Sequence, residues 1–437
     1  MIGPLARKLK SQSGDSHSRE LLSGSAAAFV LKFISVALSY AMTIFITRTY
    51  GPEVMGTYSY VQSVIFILGI TASMGFDSSM VRFTASLVAS RQFSALRHAY
   101  THALFLLVPT ALVLAILLPQ AASLFPSLKL PVNDAWPASV ALVAFIVSQL
   151  NAGCLRGLKQ IVTFVFLQDF GVVALSFASL FVLSFFMIPA NAPLVAYSIA
   201  LSVICILGVF FWKRRLNKLG HGEPGGSIPF PELVTTSASM LVASALLFLS
   251  GWINVFIIGL LADPVETALF SVAFKVASIV NFALYAINAI ATPKFAELYQ
   301  AGDPIRMRRF ARQATRLMLA AGAPCLAVLA CFPSFFMKLF GPEFIPAAPV
   351  LLILCAGQLA NVFCGSVGAI LMMTGKQRLF QNILLIGTAV NVALNLTLIP
   401  LFGATGAAIG CSVGLAVWNT LGVITVKRVH GFSTLAF

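Results

Sequence analysis

The sequence predicts an all-α integral membrane protein with about twelve transmembrane helices, and two features of its composition support this fold class. Of the 437 residues, 59% are hydrophobic and only 9% are charged, whereas soluble domains average roughly 25% charged residues. The mean hydropathy is +0.95, so the chain has too few polar groups to cover a water-facing surface. A bilayer accepts such a chain when the backbone polar groups are satisfied within helices. The apolar runs are longer than the strands of a membrane barrel and lack their alternation, which excludes that class.

Apolar runs of about 20 residues, the length that crosses a bilayer, place the predicted spans along the chain. In the first half they fall at 21–47, 57–76, 99–124, 135–153, 161–187 and 193–212. In the second half they fall at 234–261, 267–291, 314–339, 347–372, 379–400 and 404–426. We therefore expect a cytoplasmic tail at 1–20, a six-helix lobe at 21–212, a cytoplasmic linker at 213–232 and a second six-helix lobe at 233–437.

The basic residues orient the chain in the membrane, because loops rich in Lys and Arg stay in the cytoplasm. With the N-terminus inside, the outer segments contain only Arg48, Lys129 and Lys338 of the 28 basic residues, while Lys32 and Lys275 fall within spans. Both termini are therefore expected in the cytoplasm. The net charge of +15 is explained by this orientation, and no nucleic-acid partner is expected.

The two halves also resemble each other weakly at a constant offset. Residues that match at this offset are Pro52, Tyr58, Ser59 and Arg82 with Pro264, Phe270, Ser271 and Lys294. Each half has an even number of predicted spans, so both begin on the same side of the membrane. This arrangement predicts two lobes related by a pseudo-twofold axis along the membrane normal.

Three ionisable residues fall inside predicted spans, where each charge costs around 2.5 to 3.5 kcal/mol. Lys32 lies deep in the first span, whereas Lys275 is nearer the outer end of the eighth, so that its ammonium group has the alternative of reaching the interface. Asp169 lies within the fifth span. A salt bridge between Asp169 and Lys32 and a role of Asp169 in proton or sodium coupling are both open, and an anionic ligand is a third partner for the lysines.

A basic amphipathic segment follows the eighth span, where Asp303 and Pro304 predict a helix start. Its cationic side chains are Arg306, Arg308, Arg309 and Arg312. We expect this helix to lie on anionic lipid head groups, with a landing patch for a lipid diphosphate as the alternative. We expect no metal site, because His98 and His102 have no third ligand at suitable spacing.

Two turns and their order along the chain suggest a family. The stretch Thr47-Arg48-Thr49-Tyr50-Gly51-Pro52-Glu53-Val54-Met55-Gly56-Thr57-Tyr58-Ser59 follows the first span, and Leu339-Phe340-Gly341-Pro342-Glu343-Phe344 follows the ninth, with Met373-Thr374-Gly375-Lys376 later. Together with the arrangement of spans, these stretches resemble the oligosaccharide flippase (Wzx-like) branch of the multidrug/oligosaccharidyl-lipid/polysaccharide exporter superfamily.

The resemblance implies a bacterial inner-membrane flippase that needs no cofactor. Its substrate would be an undecaprenyl-diphosphate-linked oligosaccharide, a repeat unit of O-antigen, capsule or exopolysaccharide, moved outward by alternating access of two lobes. Lys32 and Lys275 would then bind the diphosphate. The further expected partners are membrane lipids, H⁺ or Na⁺ as coupling ion, and a polymerase and glycosyltransferases of the same pathway.

Amide side chains within the second half are candidates for contacts with the sugar hydroxyls, namely Asn254, Asn281, Asn288 and Asn391. The alternative for each is an interhelical hydrogen bond, worth about 0.6 kcal/mol in membrane proteins.

Two other transport functions are alternatives to the oligosaccharide flippase. A multidrug antiporter of the sister branch handles cations, but the deep charge of the first span here is the cation Lys32, which repels them. Lipid II flippases usually have two additional C-terminal spans, which are missing from this sequence.

A membrane polymerase or ligase acting on the same sugar lipids is a further alternative, but the predicted outer loops are short and the sequence contains no DxD pair, so we expect no enzyme.

Overall fold

The computed structural model of the protein describes residues 3–186, 190–220 and 228–435, with side chains described outside 3–26, 242–244 and 246–250. Helices make up nearly all of this part of the chain, and it contains no strand. Nine of its helical stretches are long and apolar enough to cross a membrane. The predicted fold class, an all-helical membrane protein, is therefore confirmed.

The helices follow one another along the chain with short connections. They are α1 (Gly3–Ala72), α2 (Phe76–Ala89), α3 (Phe93–Leu124), α4 (Val132–Gly157), α5 (Ile161–Val165), α6 (Gly171–Phe186), α7 (Ala192–Lys218), α8 (Phe230–Leu261), α9 (Pro264–Ala277), α10 (Asn281–Gln300), α11 (Pro304–Cys331), α12 (Pro333–Lys338), α13 (Ala348–Cys364), α14 (Val367–Met373) and α15 (Gln377–His430). A π-helical turn at Phe166–Phe170 joins α5 to α6.

Two of these helices contain a sharp break at a glycine. Gly51 in α1 has φ 83°, and Gly403 in α15 has φ 52°, values that side chains with a Cβ rarely adopt. The breaks coincide with the predicted boundaries between spans one and two and between spans eleven and twelve. Counting two spans in each broken helix and adding α8 gives about twelve spans, as the sequence predicted.

Some predicted spans end or break at a different residue. The eighth and ninth differ because α10 continues to Gln300 and α11 ends at Cys331, where Pro333 begins the separate α12. The tenth is interrupted at Gly365, which has φ 70° and lies between α13 and α14. Proline and positive-φ glycine stop a helix locally even within an apolar run.

Contacts divide the chain into two compact units. The first consists of Met1–Met42, Leu68–Phe125 and Pro131–Ser244, and the second of Thr43–Ile67, Pro126–Leu130 and Ala245–Phe437. The second unit thus includes two short segments from the first half of the chain, and the lobes at 21–212 and 233–437 stay a prediction. Residues 221–227 of the predicted linker lie outside the described residues.

Each unit has its own apolar core. In the first, Phe76, Met80 and Leu142 are fully buried, and the buried ring of Trp212 lies 5.3 Å from that of Tyr100. The cores therefore form between helices of the same unit, where side chains are shielded from lipid as well as from water.

The core of the second unit includes the buried side chains Phe295, Met307, Ile370, Phe380 and Val426. These residues come from α10, α11, α14 and both ends of α15. The helix with the arginine face, α11, is thereby packed against the rest of its unit.

A contact within the second unit connects the two halves of the sequence repeat. The hydroxyl of Ser59 donates to that of Ser271 at 3.2 Å, and these residues are 212 positions apart. They are one of the pairs matched at the constant offset in the sequence. Equivalent positions of the two repeats are therefore in contact, which supports an internal repeat that the sequence showed only weakly.

The two parts of α15 pack closely across the break at Gly403. A methyl group added at Gly406 or Gly410 would overlap with Leu398 or Asn395, and one at Gly414 would lie 2.6 Å from the Cβ of Asn391. The small residues at i, i+4 and i+8 thus allow two antiparallel helical segments of one chain to approach, the packing expected of such spacing in membranes.

Candidate functional site

The ion pair between Lys32 and Asp169 lies in the first unit. Lys32 is on α1, within the membrane-spanning stretch Ala27–Ala72, and its Nζ lies 3.4 Å from the Oδ2 of Asp169. The side chains are 34% and 32% exposed, so neither charge is sealed in the core. The structure thus joins the two residues for which the sequence left a salt bridge open.

The backbone around Asp169 is π-helical over Phe166–Phe170. A π-turn inserts an extra residue into the helical ladder and is frequent at functional sites. It displaces the side chains on either side of it from the positions that a regular α-helix would give them. The backbone that presents Asp169 to Lys32 is therefore irregular within an otherwise α-helical span.

A second polar contact lies beside this pair. Gln168, next to Asp169 in the π-turn, donates to the side-chain oxygen of the buried Gln149 on α4. Sequence reasoning did not single out Gln168, although the adjacent polar pair Gln168-Asp169 interrupts an apolar run. The first unit thus contains two polar side-chain contacts inside its spans, Lys32 with Asp169 and Gln168 with Gln149.

Lys275 is on α9 of the second unit and donates through Nζ to the Oγ1 of Thr43 at 2.5 Å. Thr43 is 3% exposed, so the lysine extends into the unit at this point. The alternative in which its ammonium group reaches the outer interface is therefore not the arrangement seen. Thr43 was not predicted as a partner, because it is 232 positions away in the chain.

Two of the predicted sugar contacts, Asn254 and Asn391, belong to a buried amide cluster in the second unit. The Nδ2 of Asn395 donates to the Oδ1 of Asn254 and to that of Asn391, both at 2.7 Å. All three residues are nearly inaccessible. In this conformation they form hydrogen bonds between α8 and α15, which is the alternative to a sugar contact given above. Contact of Asn254 and Asn391 with sugars stays a prediction, and it requires this cluster to open.

Asn281 belongs to a second amide cluster. The Nδ2 of Asn361 lies 3.5 Å from the Oδ1 of Asn281 and 3.3 Å from the Oε1 of Gln358, and the Nδ2 of Asn419 donates to Asn361 at 3.2 Å. Asn288 is half-buried, and its Oδ1 has no hydrogen-bond partner among the described residues. Of the four predicted amides, Asn281 and Asn288 are therefore the more accessible.

The basic helix has the form expected from the sequence. The Oδ1 of Asp303 accepts from the backbone N–H of Arg306 at 2.9 Å, with Pro304 as the first helical residue of α11. The side chains of Arg306, Arg308 and Arg309 are exposed.

The opposite face of α11 is apolar. Met307 and Ala311 are buried on it, and Arg312 is half-buried at its edge. The helix therefore presents cations on one face and packs its other face into the second unit.

Comparison with protein families identifies two matching profiles. Residues 21–299 match a family described as polysaccharide biosynthesis protein. Residues 239–397 match the family described as MatE. The first match covers more than half of the chain, and the second falls within its C-terminal part.

Several solved transporter structures share the fold at low sequence identity. A multidrug resistance MATE family transporter of the MOP superfamily, inward-facing, has a TM-score of 0.73 at 16% identity, over 91% of this chain and 94% of that one. The lipid II flippase MurJ, in an inward closed conformation, has a TM-score of 0.74 at 11% identity, over 91% and 87%. A MOP superfamily transporter from Pyrococcus furiosus has a TM-score of 0.60 at 15% identity, over 92% and 95%.

Among curated proteins, an uncharacterised membrane protein of Methanocaldococcus jannaschii is 30% identical over 141 residues. The match covers 32% of this chain and 28% of that protein. The chain thus matches less than a third of this relative's length.

Proposed function

Because the chain belongs to the polysaccharide biosynthesis protein family, we propose that it is a flippase for an undecaprenyl-diphosphate-linked oligosaccharide. It moves a repeat unit of O-antigen, capsule or exopolysaccharide from the inner to the outer leaflet by alternating access. The family and the fold are those of transporters, and the proposal includes no catalytic residue and no cofactor. The observation that carries it is the ion pair of Lys32 and Asp169, which joins two membrane-spanning stretches and leaves about a third of each side chain exposed.

The Lys32–Asp169 pair suits reversible binding of an anion. A lysine in a membrane span needs a counter-charge, and Asp169 provides one when substrate is absent. About a third of each side chain is exposed, so a diphosphate can approach Lys32 and replace the carboxylate. Charge-assisted hydrogen bonds to the diphosphate then compensate for those lost to Asp169.

Lys275 is the second proposed diphosphate contact. Its ammonium group donates to the hydroxyl of Thr43, which orients the lysine. Asn281 and Asn288 are proposed to contact the sugars, since they are more exposed than Asn254 and Asn391.

Asp169 has a further proposed role in energy coupling. When the diphosphate takes its place at Lys32, the freed carboxylate can bind H⁺ or Na⁺. A salt bridge without ion coupling is the alternative, and neutralising Asp169 distinguishes the two, because loss of coupling removes the dependence of transport on an ion gradient.

A multidrug antiporter is the second candidate function. The MatE match at 239–397 and the TM-score of 0.73 to a multidrug MATE transporter favour it. Lysine at depth in the first span argues against it, since a cation repels cationic drugs. A lipid II flippase is a third candidate through the fold shared with MurJ, and the three are distinguished by the substrate that wild-type protein moves.

The proposed location is the bacterial inner membrane with both termini in the cytoplasm, based on the basic residues of the loops. A phosphatase reporter fused after Arg428 should then be inactive. An active reporter at that position would show that the C-terminus is outside the cytoplasm and would contradict the proposed topology.

Deletion of the gene tests the function in cells. The proposal predicts loss of surface polysaccharide and accumulation of the lipid-linked repeat unit in the membrane, both restored by the wild-type gene. The polymerase and the glycosyltransferases of the same pathway are the proposed partners. Unchanged surface polysaccharide together with increased drug sensitivity would favour the antiporter instead.

A further inference from the structure

A cavity of about 660 Å³ lies in the second unit, and neither Lys275 nor the residues of the amide clusters line it. It is lined by Thr47, Arg48, Gly51, Phe335, Lys338, Leu339, Gly341, Pro342 and Glu343. Its volume falls within the roughly 300 to 1,000 Å³ of small-molecule sites. We refer to it as the Arg48–Lys338 cavity.

The charge of this cavity is unusual for its side of the membrane. Sequence analysis places only three basic residues in the outer segments, and two of them, Arg48 and Lys338, line this one cavity. The third, Lys129, donates to the backbone oxygen of Ala262 at 2.8 Å instead. Two cations from distant parts of the chain are thus brought together where cations are rare.

The cavity holds Arg48 in place. Its Nε donates to the backbone oxygen of Leu339 at 3.0 Å, which leaves the terminal nitrogens of the guanidinium for a ligand. Lys338 is exposed and forms no ion pair within the part of the chain that the structure describes. Glu343 contributes one negative charge to the same lining, so the cavity has a net charge of about +1.

Two glycine turns shape the lining. Gly51 has φ 83° and Gly341 has φ 138°, and each is followed by Pro-Glu. A Cβ at Gly341 would lie 2.7 Å from the Oε2 of Glu343, so glycine allows the chain to turn tightly beside that carboxylate. Both turns line the cavity, one three residues after Arg48 and the other three residues after Lys338.

Apolar side chains lie beside the cations. Phe335 is 60% exposed and Leu339 is 39% exposed, and both line the cavity. A ligand that satisfies the lining therefore has a phosphate-like anion joined to an apolar chain. A free inorganic ion would leave the apolar wall without a partner.

We propose that the Arg48–Lys338 cavity binds the phosphate group of an amphiphilic lipid at the outer membrane interface. The guanidinium of Arg48 offers paired N–H donors to phosphate oxygens, and Lys338 adds a point charge. The inference rests on the proposed function for the side of the membrane on which the cavity opens. The phosphate belongs either to the exported lipid diphosphate on its release or to an anionic phospholipid of the outer leaflet.

Protection of Lys338 from acetylation tests this site in the purified full-length protein in detergent. Farnesyl diphosphate and short-chain phosphatidylglycerol are the two probes, farnesol is the probe without phosphate, and mass spectrometry measures labelling of each lysine. At ten times the dissociation constant, a binding probe should slow the labelling of Lys338 roughly tenfold by mass action. Lys129, an exposed lysine outside the cavity, is the internal control and should be labelled at an unchanged rate.

Variants then test the chemistry of the cavity. Arg48→Gln should abolish protection of Lys338, Arg48→Lys should retain part of it, and Glu343→Gln should increase it by removing the charge that opposes the ligand. Protection by farnesyl diphosphate alone assigns the site to the exported lipid, and protection by phosphatidylglycerol alone assigns it to a phospholipid.

The inference is overturned if neither phosphate probe protects Lys338, if farnesol protects it equally, or if Lys129 is protected to the same extent. Failure of the proposed function is a separate result. In that case wild-type protein transports no lipid-linked sugar, whatever the labelling of Lys338.

Discussion

Lys32 and Asp169 are 137 positions apart in the chain, and their charged atoms lie 3.4 Å apart inside the first unit. The aspartate is presented by a π-helical turn, and both side chains are about a third exposed. An ion pair so placed holds both charges within the membrane while remaining accessible. This pair is therefore the place where a role in stability and a role in transport can be separated by mutation.

Substitutions at Lys32 should follow its charge if it binds the diphosphate. Loss of one charge-assisted hydrogen bond costs about 1.5 to 3 kcal/mol, so Lys32→Ala should reduce export of the lipid-linked sugar by roughly ten- to a hundredfold. Lys32→Arg should retain partial export, and Lys32→Glu should be the most damaging. Protein abundance in the membrane, measured in parallel, should be unchanged.

The double variant Lys32→Ala with Asp169→Asn is the matched control. If Lys32 only neutralises Asp169, removal of both charges should restore the export that Lys32→Ala loses. The proposed role predicts no recovery, because the diphosphate still lacks its cation. Full export by a stably expressed Lys32→Ala protein would exclude Lys32 from transport.

The glycines of α15 should be sensitive to the smallest substitution. A methyl group at Gly406 would overlap with the backbone oxygen of Leu398, which cannot move away as a flexible side chain would. Gly406→Ala should therefore destabilise the protein by about 1 to 3 kcal/mol. Gly251→Ala is the control, because, apart from its own helical turn, no atom of the described side chains and backbone lies within 4 Å of a Cβ at that position. Thermal unfolding in detergent should show a lower midpoint for the first variant only, and equal midpoints would contradict the packing described.

The arginine face of α11 should retain anionic lipid. Arg306, Arg308 and Arg309 are exposed on it, and each cation near an anionic surface contributes about 1 kcal/mol. Replacing all three with Gln should weaken binding of phosphatidylglycerol, measured by native mass spectrometry, by roughly ten- to a hundredfold at low salt. Replacement with Lys keeps the charge and should change binding little. If the arginines instead form a landing patch specific for the lipid diphosphate, the variant with three Gln residues should lose binding of that lipid and still bind phosphatidylglycerol.

Much of the fold could be predicted from the sequence, because apolar length and breaks at glycine are local properties. The turns at Gly51 and Gly403 fall where the apolar runs are separated. The division at Gly365 was not predicted, because hydropathy gives one apolar run over 347–372 and does not reveal the positive φ of Gly365.

The candidate site was less accessible to prediction. The positions of Lys32 and Asp169 inside predicted spans indicated that each needs a partner, and a salt bridge between them was one of the predicted alternatives. The contacts of Lys275 with Thr43 and of Asn254 with Asn395 depend on which helices pack together, which hydropathy does not determine. The π-turn at Asp169 likewise has no local signal in the residue types around it.

Transport in vesicles that contain only the purified protein and an undecaprenyl-diphosphate-linked oligosaccharide measures the proposed flippase activity without other cellular components. We expect movement of the oligosaccharide to the opposite leaflet, a roughly ten- to hundredfold slower movement in Lys32→Ala and a smaller reduction in Lys275→Ala. An inside-negative potential should accelerate outward movement, because it favours transfer of two uncompensated negative charges by roughly 4 to 5 kcal/mol per 100 mV, and Asp169→Asn reports whether an ion gradient is also needed. Wild-type vesicles that move no more oligosaccharide than protein-free vesicles, or Lys32→Ala vesicles that move as much as wild type, would contradict it.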